Sequence, residues 1–174
     1  MIRSKKKIGL FGGSFDPPHQ GHLRISKIAI KKLSLNELYW CITKKNPLKN
    51  KTFFSLKSRI KKSKLLTNKA QKIKVKYLED KIKSRNSIDL IKYLHKKNKK
   101  TKFFLIIGSD NLINLHKWKN WKLLTKLIQI VVFSRKDYDI KAKKSVINRK
   151  VKKIIFIKNK PINISSTQIR KKFS

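Results

Sequence analysis

The sequence predicts an α/β fold, a three-layer sandwich with a mostly parallel central sheet. Three observations carry that prediction. Six short apolar runs recur along the 174 residues, at Ile8–Phe11, Leu38–Ile42, Ile73–Leu78, Phe103–Ile107, Ile128–Phe133 and Ile154–Ile157. The runs are continuous rather than alternating, which suits strands buried on both faces. Stretches with helical spacing separate them, and strand alternating with helix argues for right-handed parallel crossovers. A chain of this length forms one domain, residues 1–174, around one core.

The elements follow in order. After the first strand comes Gly12-Gly13-Ser14-Phe15-Asp16-Pro17-Pro18-His19-Gln20-Gly21-His22, then a helix from Leu23 to Leu33 with apolar Leu23, Ile25, Ile28, Ala29 and Leu33 at helical spacing. The second strand contains the single cysteine, Cys41, which reads as a small core residue and excludes an internal disulfide framework. Polar Lys44–Thr52 reads as a loop. Leu56, Ile60, Leu65 and Leu66 mark the next helix, Ile88, Ile91 and Leu94 another, and Trp121, Leu124 and Leu127 a further one. Lys136–Lys150 reads as a second loop, partly helical. Ile164-Ser165-Ser166-Thr167-Gln168-Ile169-Arg170 after the last strand reads as a helix start, with Ser165 or Ser166 as N-cap.

The net charge of +40 invites a nucleic-acid interpretation. The 48 basic residues are 41 lysines and 7 arginines, spread through nearly every segment. A dedicated DNA or RNA surface favours arginine for bidentate contacts. Lysine, isoleucine and asparagine share A/T-rich codons, which explains the charge without a specific nucleic-acid partner. The field still favours polyanionic ligands. No apolar run approaches the roughly 20 residues of a membrane span. Lys5-Lys6-Lys7 before Ile8–Phe11 is too short in its apolar part for a secretion signal, so a cytoplasmic protein is expected.

Four segments carry chemistry. In Gly12–His22 a strand, a glycine-rich turn and a helix start form a recipe for holding phosphate, with backbone N–H groups close to an anion and a helix N-terminus behind them. His19 and His22 add side-chain donors; a metal pair is the other reading, but no further Cys, His or carboxylate cluster completes it. In Ser165–Arg170, hydroxyls, free N–H groups and Arg170 suit phosphate as well, beside a reading as helix cap alone. Gly108-Ser109-Asp110 at a strand end suits a ribose hydroxyl or a helix cap. In His116-Lys117-Trp118-Lys119-Asn120-Trp121, a tryptophan either stacks on a flat ring or packs in the core.

GGSFDPPHQGH and ISSTQIR resemble the paired HxGH and SSTxIR signatures of the nucleotidyltransferase superfamily, and GSDNL with HKW narrows the resemblance to bacterial nicotinate-nucleotide adenylyltransferases. It runs from about Ile8 to Phe173. It implies a Rossmann-like fold, ATP and nicotinate mononucleotide as small-molecule substrates, and Mg²⁺ held mainly through the ATP phosphates, with no metal site of the protein's own and no membrane partner. It leaves homo-oligomerisation open. It further implies that Gly12, Gly13, Ser14 and Phe15 line the nucleotide site. His19 and His22 contact the ATP phosphates, His22 nearest the α-phosphate, and Ser166, Thr167 and Arg170 hold the β- and γ-phosphates. Gly108 and Asp110 lie near the sugar, Ser134 and Arg135 near the adenine, Lys49 on the phosphate side, and Ser87 and Trp118 toward the nicotinate.

The chain departs from the family on the acceptor side. Arg85-Asn86-Ser87 stands where a Ser-Tyr-Thr pattern is common, and Lys45-Asn46-Pro47-Leu48-Lys49 replaces a loop with two prolines and a histidine. Rival readings are adenylyl transfer to nicotinamide mononucleotide or phosphopantetheine, a cytidylyltransferase, and an RNA-binding protein that reuses the fold.

Overall fold

β1 (Lys6–Gly13) and β4 (Thr101–Gly108) lie side by side at the centre of a sheet whose every pairing is parallel. The computed structural model describes residues 5–45, 52–135, 137–160 and 164–172. Flanking strands are β2 (Glu37–Ile42), β3 (Ile73–Lys76), β5 (Gln129–Phe133) and β6 (Ile154–Ile157), in the order β3-β2-β1-β4-β5-β6. The order runs backward from β1 and forward from β4, so a crevice opens beyond the carboxyl ends of these two strands. Nine helices occur among the described residues: α1 (Gln20–Leu33), α2 (Leu56–Thr67), α3 (Glu79–Ile82), α4 (Ser87–Lys97), α5 (Ser109–Asn114), α6 (Trp121–Leu127), α7 (Asp139–Lys143), α8 (Val146–Lys150) and α9 (Ser166–Arg170).

Both sheet faces are covered, so the inner strands β1, β4 and β5 carry continuous apolar runs, whereas the edge strand β3 (Ile73-Lys74-Val75-Lys76) alternates apolar and polar residues. On one face Leu38, Trp40, Phe104, Ile106 and Val131 pack with Ala29 of α1 and with Leu56, Ile60 and Leu66 of α2. On the other, Ile8, Leu10, Leu105 and Val132 pack with Ile88, Ile91 and Leu94 of α4 and with residues of α5 to α8.

All six expected strands form. β1 runs on through Gly12 and Gly13, which pair with Cys41 and Ile42, so the glycines end a strand instead of forming the turn. β3 stops at Lys76, short of Leu78, because its only partner pairs no further. α1 begins at Gln20, ahead of the expected Leu23, because His19 caps it. Within the expected loop Lys136–Lys150 lie α7 and α8. The expected apolar face of α2 is displaced: Leu65 is 62% exposed, and the buried positions are Arg59, Ser63 and Thr67, one turn apart on the helix.

Candidate active site

The two histidines are the N-cap and third residue of α1, and they cap each other's backbone. His19 Nδ1 accepts from the Gly21 N–H at 3.1 Å, and His22 Nδ1 accepts from the His19 N–H at 3.2 Å, a capping box built from imidazoles. A ring whose Nδ1 accepts carries its proton on Nε2 when neutral. Burial and then the positive charge of Arg135 lower the His19 pKa to about 4. His22 lies well below its ordinary value because of burial, then His19, then Arg135. Both rings are therefore neutral at pH 7 and hold out Nε2–H donors. The rings lie 3.9 Å apart between centroids, and His22 also meets Phe15 at 4.7 Å. Behind them, Ser26 donates to the His22 carbonyl and accepts from Trp40 Nε1.

Phe15, not a glycine, takes the left-handed conformation in this turn (φ 46°), and its buried ring stacks on Trp40 at 4.7 Å. Gly12 has a different use. A Cβ added there meets nothing within 4 Å among the described residues, so they leave open space above its backbone, as a ligand approaching the main chain requires.

The two ends of the chain meet at this loop. Ser166 Oγ donates to the Pro17 carbonyl at 3.0 Å, and Arg170 donates to the Asp16 carbonyl at 2.7 Å and to Thr167 Oγ1 at 3.0 Å. Ser165, not Ser166, is the N-cap of α9, accepting from Gln168 N–H. The buried Asp16 carboxylate accepts from the Phe53 and Phe54 N–H groups at 2.7 and 2.8 Å. Asp16 thus binds three segments together, a role its place in the motif did not reveal. Arg59 was also missed. It is buried and donates to the carbonyls of Ser14, Thr43, Lys44 and Phe54.

At the ends of β4 and β5, the buried Ser109 hydroxyl accepts the Arg135 N–H at 3.0 Å. The Arg135 guanidinium pairs with Asp110 Oδ2 at 2.7 Å. The other Asp110 oxygen is buried without a partner, and it fills the place a Cβ on Gly108 would need. Ser134 follows β5, its N–H donating to the Ile157 carbonyl.

The residues expected on the acceptor side come from the start of α4 and from the segment before α6. Ser87 begins α4, while Trp118 rests half-buried against the core. An open cleft of about 910 Å³ is lined by Asn86 and Lys119, their neighbours in sequence, and among others by Lys44, Glu79, Arg85 and Asp89. Asn86 is occupied with its own turn, donating to Ser84 Oγ and Asp89 Oδ2. Lys49 lies outside the described residues. Cys41 is buried, and burial pushes its thiol up to about 12, which excludes it as a nucleophile at neutral pH. No group of three or more His, Cys, Asp or Glu among the described residues has the arrangement to hold a metal ion. No helix among them is long and apolar enough to cross a membrane.

The model of a cytidylyltransferase-like family matches residues 10–172. A probable nicotinate-nucleotide adenylyltransferase of Pelagibacter ubique is 49% identical over 98% of this chain and 96% of its own length. One of Ruegeria is 34% identical over 79% of this chain and 72% of its own. Among solved structures, a Plasmodium falciparum nicotinic acid mononucleotide adenylyltransferase complexed with NaAD superposes with a TM-score of 0.77. It covers 95% of this chain and 83% of that one at 24% identity, a likeness of fold.

Proposed function

The chain belongs to the cytidylyltransferase-like family of nucleotidyltransferases, alongside the nicotinate-nucleotide adenylyltransferases, and from that premise we propose that it transfers the adenylyl group of ATP to nicotinate mononucleotide. The products are deamido-NAD and pyrophosphate. The observation that carries the proposal is the docking of Ser166 and Arg170 onto the loop that presents His19 and His22. That docking gathers a helix N-terminus, two neutral imidazole donors and a guanidinium around one site, a suitable surround for a triphosphate.

A phosphate oxygen of the acceptor attacks the α-phosphorus in line. One P–O bond forms, the bond to the β-phosphate oxygen breaks, and pyrophosphate leaves. No covalent enzyme intermediate is needed, so the protein positions and stabilises charge. His22 Nε2–H donates toward the α-phosphate and His19 Nε2–H beside it. Ser166, Thr167 and Arg170 hold the β- and γ-phosphates. Gly12, Gly13, Ser14 and Phe15 offer backbone, Gly108 and Asp110 face the ribose, and Ser134 and Arg135 flank the adenine. The cleft lined by Asn86 and Lys119 takes the acceptor, and Ser87 and Trp118, next to them in sequence, face the nicotinate.

Mg²⁺ fits this donor set as an ion carried on the phosphates. It would be held mainly by the phosphates and by water, since no cluster of His, Cys, Asp or Glu among the described residues is arranged to hold a metal ion. When bound, it neutralises charge on the polyphosphate.

An acceptor panel with ATP and Mg²⁺, scored by pyrophosphate release, tests the proposal. Nicotinate mononucleotide is expected to lead nicotinamide mononucleotide and phosphopantetheine. Equal or greater release with either competitor moves the assignment to that acceptor, and silence with all three ends it.

A further inference from the structure

We infer that Arg59 is a positioning residue for the nucleotide loop, acting through the backbone of Ser14 and Phe15. This rests on the adenylyl-transfer reading. Arg59 sits in α2 and is 1% exposed. Nε donates to the Phe54 carbonyl at 3.0 Å, one terminal nitrogen to those of Ser14 and Thr43 at 2.6 and 2.8 Å, and the other to that of Lys44 at 2.8 Å. One guanidinium therefore gathers the turn after β1, the end of β2 and the segment leading into α2.

The direction of each peptide matters. In a trans peptide the C=O and N–H point opposite ways. The Thr43 carbonyl faces Arg59, and the N–H of the same peptide, on Lys44, donates to Glu79 Oε2. At Phe54 the residue's carbonyl faces Arg59 and its N–H faces Asp16. The Ser14–Phe15 peptide is also trans. With its carbonyl drawn back onto Arg59, its N–H points forward, on the side away from α2, and meets no acceptor among the described residues. From the other side, Trp40 and His22 pack on the Phe15 ring and hold its left-handed φ. Arg59 thus aims a backbone donor at an anion without touching it.

A fold-only account leaves the charge unexplained. Burying a guanidinium is costly, and packed apolar side chains replace buried charges in many cores without loss of stability. The fork of donors is what an apolar residue, or a lysine, lacks.

The test uses the full chain with Arg59→Lys and Arg59→Ala, activity being normalised to the folded fraction by circular dichroism. Arg59→Lys is expected to lose about 10²-fold in kcat, the scale of a small misplacement at a reacting centre, while the acceptor KM stays within about threefold. A non-hydrolysable ATP analogue binds it more weakly than wild type, measured by calorimetry without acceptor. Guanidinium ion, added well below unfolding concentrations, restores turnover to Arg59→Ala. Wild-type kcat and analogue affinity in Arg59→Lys, with only the melting temperature lowered, overturn the inference. So does failure of both variants to fold, which assigns Arg59 to the fold alone. If wild type releases no pyrophosphate with any acceptor, the functional reading fails, and the calorimetric comparison still decides the role of Arg59.

Discussion

The site has two halves that are built differently. On the proposed phosphate side nearly every group is held by another: the imidazoles cap α1, Asp16 ties three segments, and Arg170 and Ser166 bind the carbonyls beside it. On the proposed acceptor side an open cleft is edged by side chains such as Lys119 and Arg85, and Asn86 is spent on its own turn. A rigid half suits a step in which donors must already point where charge develops. An open cleft suits recognition, and it is there that Asn86 and Ser87 stand where the resemblance leads one to expect other residues.

The contrast breaks most easily at His22. His22→Ala is expected to lower turnover by about 10²–10³, the usual effect of removing a donor aimed at transition-state charge, with a cooperative melt retained. Near-normal pyrophosphate release removes His22 from the chemistry. Arg170→Met comes next. Loss of a charged donor, worth about 1.5–3 kcal/mol, corresponds to about 10–100-fold in kcat/KM for ATP, with acceptor KM little changed. On the loose side, Ser87→Ala is expected to raise acceptor KM by about 2–10-fold, the scale of one neutral hydrogen bond, and to leave ATP KM alone. An effect on ATP instead erases the division into halves.

The smallest effect is on stability. The folded-state pKa values of His19 and His22 lie below the ordinary 6.5, so the unfolded chain binds more protons as pH falls beneath that value. Stability is fully present above about pH 6.5 and declines from there toward the folded-state value of about 4 at His19. Melting temperatures measured between pH 7 and 4.5 are expected to fall, and to fall less steeply in His22→Gln, which has no imidazole to charge. An identical slope in the variant denies the histidines this role.

The strands were legible because burial on both faces leaves continuous apolar runs. That the Gly12–His22 loop joins strand to helix was legible because β1 and α1 flank it with apolar residues at strand and helical spacing. What escaped is instructive. Spacing put His19 and His22 on one turn, but that they cap α1 depends on where the helix starts, which periodicity left three residues late. Glycines at 12 and 13 suggested a turn, yet parallel pairing with β2 keeps them in strand and passes the unusual backbone to Phe15. Arg59 stands in Leu56-Lys57-Ser58-Arg59-Ile60-Lys61-Lys62, one cation among many. Its partners are carbonyls of remote segments, which every residue has, so no side-chain pattern announces them.

Cys41 has a practical consequence. Its thiol is sealed in the sheet and stays protonated at neutral pH, so maleimides and iodoacetamides find nothing to alkylate in the native chain. A cysteine introduced at exposed Lys119, on the rim of the open cleft, becomes the sole addressable thiol without deletion of the native one. Under the proposed function, a fluorophore attached there is expected to report acceptor arrival separately from nucleotide arrival, and so to give the order in which the two substrates load.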